Sequence, residues 1–273
     1  MSSAEPLQTY IYPDTTPKGL VRKLATRAVN GLLRLRGLKF PPYVPLRNRL
    51  AHLVKGTELD VQHLCDQLLR PGMTVMDVGA NVGLLARLFC RQVGKSGRVY
   101  AFEPDPLTFR FLEFNTRSFG NKELTQCAVS DNDQPAVLHL NLISGTGNSL
   151  LNANQSTESV PVDCISLDEF LKQRGNPKVD VIKIDVEGAE LSVLRGMRQT
   201  VARLPGLKMI IEYCPKNLQE SGVAPRAVFD ELCLQHLKSQ VIRPDGSVRA
   251  VAKFEDLEGN LNPYGYVNLL CGR

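Results

Sequence analysis

No two cysteines of this chain form a Cys-x-x-Cys pair, and the seven present, Cys65, Cys90, Cys127, Cys164, Cys214, Cys233 and Cys271, are odd in number and scattered. That spacing excludes a metal or disulfide framework and predicts reduced, mostly core residues of a cytoplasmic protein. The opening stretch MSSAEPLQTYIYPDTTPKGL lacks the basic start and apolar run of a secretory signal. Nowhere does the chain offer the roughly 18 uncharged apolar residues that a membrane-spanning helix needs. A dense basic stripe is missing too, since the net charge is only +5, a mild bias and not the footprint of a nucleic-acid binder. Internal repeats and low-complexity tracts are absent. The 273 residues therefore predict a soluble chain with one large domain and a modest extension. A chain of this size buries about three quarters of its unfolded surface and needs no staples.

The net positive charge gathers near the front. Residues 18–39, KGLVRKLATRAVNGLLRLRGLK, set Leu20, Leu24, Val29, Leu32, Leu33 and Leu35 on one helical stripe, with Arg22, Lys23, Arg27, Arg34, Arg36 and Lys39 largely around it. Such a basic amphipathic helix either docks on its own domain or meets an anionic membrane surface or a lipid-linked substrate, and docking is the expectation. Pro41, Pro42 and Pro45 then end it and form a linker. Residues 1–56 read as an N-terminal extension and residues 57–273 as the domain.

From residue 57 the pattern alternates. TELDVQHLCDQLLR (57–70) is amphipathic, Pro71-Gly72 breaks it, and MTVMDV is a short buried strand. A helix over 82–93, a strand over 98–102, a helix over 106–118 and a strand over 123–129 repeat the unit. Residues 135–163 interrupt the rhythm with two strand-like runs, AVLHLNL and ESVPVD, flanking the loop ISGTGNSLLNANQS. A helix over 167–174 and a strand over 179–184 restore it. Strands over 208–214, 240–243 and 266–271, with a helix over 224–238, complete an open, doubly wound α/β sheet covered on both faces.

In such a sheet ligands bind beyond the carboxyl ends of the strands. Those ends carry Asp77-Val-Gly79-Ala80-Asn81-Val-Gly83, then Glu103-Pro104-Asp105, Ser130-Asp131, Asp185-Val-Glu187-Gly188, and Glu212. Their acidity argues against a pyrophosphate. A dinucleotide site uses GxGxxG to bring backbone amides to two phosphates, whereas this turn is GxxxG with Asp77 just before it. A carboxylate there repels phosphate and attracts the ammonium of an amino-acid moiety, and glycines at 79 and 83 permit close approach and a sharp turn. Glu103, at the end of the next strand, is placed to accept hydrogen bonds from two ribose hydroxyls. An adenosine joined to an amino acid without phosphate meets all of these terms, and S-adenosylmethionine is that molecule.

DVGANVG, FEPDP, AVSD, GTGNSL and KIDVEGAEL, in this order over about residues 57–214, resemble the FkbM-type methyltransferases, a branch of the class I S-adenosylmethionine-dependent enzymes. The resemblance implies a Rossmann-like sheet of about seven strands with the last antiparallel, and methyl transfer commonly to a hydroxyl oxygen of a sugar or secondary metabolite. It also implies that Asp77, Gly79, Asn81 and Gly83 line the methionine end of the cofactor, Glu103 the ribose, and Ser130 and Asp131 the adenine edge, with Ala80, Pro104 and Asp185 also at the cofactor. The N-terminal extension departs from the pattern.

The sulfonium is already an activated methyl donor, so the protein has to position the acceptor and remove its proton. Asp185 is the first choice of base, with Glu187, Glu212 and His139 as the other candidates. Asp185 reads alternatively as the cap of a helix starting near Glu187. The three acids together could instead hold a hard cation such as Mg2+. His139, alternating with Leu138 and Leu140, sits on the polar face of a strand, and the loop around Gly145, Asn148 and Ser149 covers the acceptor or is a plain turn. Rival readings are a nicotinamide-dependent oxidoreductase, against which the glycine spacing stands, and a non-catalytic binding or scaffold protein. A nucleic-acid methyltransferase is a third, disfavoured because no (N/D)PP(Y/F)-type motif follows the fourth strand.

Overall fold

The computed structural model describes residues 17–40, 46, 49, 58–140 and 158–273. The loop holding Gly145, Asn148 and Ser149 and most of the proline linker lie outside them. Twelve strands are formed in the described residues: β1 (Thr74–Val78), β2 (Arg98–Phe102), β3 (Lys122–Thr125), β4 (Ala128–Val129), β5 (Ala136–Leu140), β6 (Glu158–Val162), β7 (Cys164–Ile165), β8 (Val181–Ile184), β9 (Lys208–Tyr213), β10 (Lys238–Ile242), β11 (Val248–Val251) and β12 (Val267–Gly272). The main sheet runs in the order β11-β10-β12-β9-β8-β1-β2-β3. From β3 to β9 neighbours are parallel, whereas β12 is antiparallel to both β9 and β10. This is the doubly wound α/β sheet with a reversed last strand that the sequence predicts. An eighth strand, β11, adds antiparallel to β10 at the edge.

Alternation along the strands sends one set of residues to each face. Met76, Val78, Ile182, Ile184, Met209 and Ile211 enter a core closed by Phe170, Leu194, Val228 and Leu232. Val75, Val99, Val181 and Ile210 enter the opposite core with Val61, Leu64 and Phe89 from the helices Leu59–Leu68 and Leu84–Val93. At roughly 25 cal/mol per Å² of apolar surface removed from water, these two layers dominate the stability of the fold.

The run expected as one strand over 123–129 is two. β3 stays in the main sheet, and the chain then leaves it so that β4 pairs in parallel with β7, matching Ala128 to Cys164 and Val129 to Ile165. The two runs around the interrupted rhythm form a separate antiparallel hairpin, β5 with β6.

The basic helix is Pro17–Leu35. Val29 and Leu33 are buried with Phe40 against Val82, Leu84 and Phe111, so docking occurs. The stripe is nevertheless divided, because Leu24, Leu32 and Leu35 remain more than half exposed. Asn115, fully buried, pins the chain beyond the helix: its amide donates to the carbonyls of Lys39 (2.9 Å) and Val82 (2.7 Å) and its oxygen accepts from the Lys39 N–H (2.7 Å). No helix among the described residues is long and apolar enough to cross a membrane.

Candidate active site

The strand order reverses between β1 and β8, and there Asp77 lies opposite Lys183 in register. Both continue the Val75 and Val181 face, so the apolar layer ends in a polar one at the carboxyl edge. Lys183 has no exposed side-chain surface, and its Nζ lies 3.2 Å from Asp185 Oδ2 and 3.4 Å from Glu58 Oε2. Glu212 on β9 is paired with Asn268 on β12, whose amide donates to Asp60 at 2.9 Å. Glu58 and Asp60 thus bring the start of the helix Leu59–Leu68 over this polar layer. Lys183, Glu58 and Asp60 are absent from the set read off the strand ends. The signal for Lys183 was available in VIKID, where Val181, Lys183 and Asp185 share one face by their period of two.

The glycine turn is fixed by its neighbours. Gly79 has φ +83°, and a Cβ there would lie 1.8 Å from the Asp185 carbonyl oxygen. Gly83 has φ +82°, and its Cβ would meet Leu112 at 2.6 Å. Both glycines are therefore needed by the packing of the chain on itself, the first where β1 meets the loop after β8 and the second where two helices cross. The N–H groups of Gly79 and Ala80 donate to the Phe102 carbonyl. Asn81, itself at φ +49°, donates its N–H to Glu103 Oε2 at 2.9 Å, while Glu103 Oε1 accepts from the Asp105 N–H at 2.9 Å. Glu103 is thus clamped at the end of β2 before any ligand arrives. Pro104 is half-buried, and Asp105 caps the helix Pro106–Thr116.

Asp185, Glu187 and Glu212 converge, with one carboxylate oxygen from each lying within 4.8 Å of the other two. Asp185 does not cap a helix. The next helix begins only at Glu190, whose own carboxylate accepts from the Gly188 N–H at 3.1 Å, and Asp185 pairs with Lys183 instead. Glu187 is held at φ +51° and accepts a hydrogen bond from the Asn217 amide. Gly188 follows at φ +102°, where a Cβ would sit 2.2 Å from Ser221 Oγ. The remaining sequence candidates sit on or after strands of the two small sheets. His139 is half-buried on β5 opposite Ser159, in the hairpin and not at the edge of the main sheet. Ser130 and Asp131 follow β4, which among the described residues pairs with β7 and not with the main sheet, so they do not follow a main-sheet strand as expected. Ser130 is buried, with its N–H on the Ile165 carbonyl, and Asp131 is exposed.

Burial sets the protonation of this edge. It pushes Asp77 up to about 7, with Lys183 opposing and Glu58 and Asp185 adding to the rise. It pushes Glu103 up to about 8 against the lowering effect of the Asp105 and Asn81 N–H groups. Glu187 and Glu212 are also raised, by burial and then by Asp185. For Lys183, burial opposes the charge, but Asp185, Glu58 and Glu212 outweigh it and hold the ammonium well above the ordinary lysine range.

These residues fit the methyl donor on structural grounds. The Asp77 Oδ2 atom is buried without a hydrogen-bond partner, an acceptor suited to an ammonium group. Glu103 is held by the Asn81 and Asp105 N–H groups with acceptor lone pairs left over, and the N–H groups of Gly79, Ala80 and Asn81 are engaged within the chain, so they offer no phosphate cradle.

The sequence matches the methyltransferase FkbM domain over residues 77–241. It is 26% identical to the 2-O-methyltransferase NoeI of Sinorhizobium fredii over 76% of this chain and 93% of that one. The hexuronic acid methyltransferase AglP of Haloferax volcanii is 33% identical over 68% of this chain and 72% of its own length. The 31-O-demethyl-FK506 methyltransferase FkbM of Streptomyces tacrolimicus is 28% identical over 52% and 65%. With a family match that spans most of the chain, the strand order already described and a turn suited to this donor, the chain belongs to the FkbM family of S-adenosylmethionine-dependent O-methyltransferases.

Proposed function

We propose that this enzyme methylates a hydroxyl oxygen of a sugar, glycolipid or secondary metabolite and that Asp185 is the base. The convergence of Asp185, Glu187 and Glu212 beside Asp77 carries this reading, because a hydroxyl acceptor needs a proton acceptor next to the methyl donor and these are the groups available there. The oxygen and sugar specificities in the names of the relatives support the acceptor class. S-adenosylmethionine, when bound, supplies a methyl group that needs no further activation.

The remaining work falls to the chain. Asp77 takes the ammonium of the donor, Glu103 its ribose hydroxyls, and Gly79, Ala80, Asn81 and Gly83 shape the turn around it, with Pro104, Ser130 and Asp131 towards the nucleoside. Asp185 accepts the acceptor's proton as its oxygen takes the methyl group, and Lys183 beside it keeps the carboxylate in place. Glu187 and Glu212 orient the neighbouring hydroxyls.

In this reading Asp77→Ala and Glu103→Ala lose donor binding in titration calorimetry, whereas Asp185→Ala binds the donor normally and loses about 10²- to 10⁴-fold in turnover. Donor affinity at the wild-type level in both of the first two variants overturns the donor assignment. Full turnover in the third overturns the base.

A second reading has a specific observation behind it, since the same three carboxylates have the spacing to hold a divalent cation. Mg2+ there would bind and acidify a pair of adjacent hydroxyls. Loss of turnover in EDTA, restored by Mg2+ but not by Na+, selects this reading. Unchanged turnover in EDTA rejects it.

A further inference from the structure

We propose that the exposed ridge of the helix Pro17–Leu35 docks on an anionic phospholipid surface. Among the described residues, Val29 and Leu33 are the apolar side chains of the helix buried against the domain. Docking leaves Val21 66%, Leu24 55%, Leu32 51% and Leu35 85% exposed. At 100° per residue these four, with the exposed Ala28 among them, fall within an arc of about 80°. The ridge is one continuous apolar line and not a scatter of single residues.

Charge decides what covers it. Exposed Arg27 and Arg34 border the ridge on one side and Arg36 on the other. Residues 15–57 hold ten Lys and Arg and no Asp or Glu, and because the whole chain is +5 the rest of it is −5. A second copy of the chain would press like charges together along both borders. A nucleic acid would satisfy the arginines and leave the leucines in water. An anionic bilayer satisfies both, the leucines entering the acyl boundary and the arginines the headgroups.

The 19-residue helix is about 28 Å long and lies along such a surface without crossing it. Its seat is on Val82, within the glycine turn, so the lipid-facing ridge is carried at the same edge of the sheet as the catalytic acids. This placement suits an acceptor presented at a membrane, but the lipid contact itself does not depend on the acceptor being one.

The test uses the full chain in vesicle co-sedimentation, with phosphatidylcholine alone and with about 30% phosphatidylserine added. Wild type is expected to bind the anionic vesicles and not the neutral ones. Leu24→Ser/Leu32→Ser/Leu35→Ser is expected to weaken binding at least about tenfold, and Arg27→Gln/Arg34→Gln about fivefold per charge with a shallower salt dependence. Both variants should keep the wild-type affinity for S-adenosylhomocysteine, which serves as the control for folding. If the triple variant is insoluble, Leu35→Ser alone, at the most exposed position, carries the comparison.

The proposal is overturned if wild type ignores anionic vesicles or if the serine variants bind undiminished. It is equally overturned if duplex DNA is bound and vesicles are not, or if analytical ultracentrifugation shows self-association that the serine substitutions abolish.

Discussion

The two faces of the central sheet are made from the same strands and differ only in the parity of the residues. On one face Met76 and Val78, Ile182 and Ile184, and Met209 and Ile211 stay apolar to the carboxyl edge. On the other, Val75, Val181 and Ile210 give way to Asp77, Lys183 and Glu212 at their next inward positions. Asp77 and Lys183 stay as buried as Val75 and Val181, and Glu212 is half-buried. What changes is the chemistry. Ionisable groups kept dry are costly unless paired, so a polar layer placed where leucine would serve stability better marks this edge as the candidate site.

Lys183→Met should disturb this comparison most. It keeps the volume and leaves Asp77, Asp185 and Glu58 without their cation, at an expected cost of about 3–5 kcal/mol. The sign with pH follows from the direction of the shifts. The wild-type lysine is raised above its unfolded value, so its contribution is fully present at neutral pH and is lost only above about 10.5. In the variant the buried Asp77 and Glu58 carboxyls hold their protons more tightly when folded than unfolded, so the deficit should be large at about pH 8 and shrink towards pH 5. Urea denaturation at both values measures it, and a pH-independent deficit would mean that the lysine acts by packing alone.

Donor affinity should respond next. In the proposed donor site Asp77, raised to about 7, has to be ionised to take an ammonium group, so affinity should fall up to about tenfold per unit as the pH drops below 7. Calorimetry from about pH 5.5 to 7.5 reads the slope, and Asp77→Asn should flatten it. A slope that survives in the asparagine variant belongs to another group.

The smallest effect is expected on the opposite face. Ile182→Val, one strand position from the lysine, should cost about 1 kcal/mol at every pH and leave donor affinity unchanged. A pH-dependent cost there would erase the distinction between the faces.

Much of the architecture was legible in the chain. The parallel strands and their crossover helices follow from hydrophobic periodicity, and the predicted 98–102 strand coincides with β2. The acids at the strand ends were legible too, because local rules say where a strand stops. What escaped depends on contacts between distant segments. Nothing near Lys183 tells that Glu58, 125 positions earlier, comes within 3.4 Å of it. The break at Gln126 and Cys127 is likewise set by β7, which offers β4 a partner outside the main sheet. The glycines were recognised as special, but the obstacle they avoid is the chain itself. At Gly79 that obstacle is a carbonyl oxygen from a segment more than a hundred residues away.

The reversal of strand order between β1 and β8 also partitions the molecule. Glu58, Asp77 and Glu103 precede the β5–β6 hairpin in the chain, and Lys183, Asp185, Glu187 and Glu212 follow it. A break between Leu140 and Glu158 would yield two fragments, one with three of these charged residues and one with four, and neither with the full set. The antiparallel pairing of β5 with β6 would tether the cut ends, and the contact of Gly79 with Asp185 would gate reassembly. Recovered methyl transfer would then report complementation of the fragments.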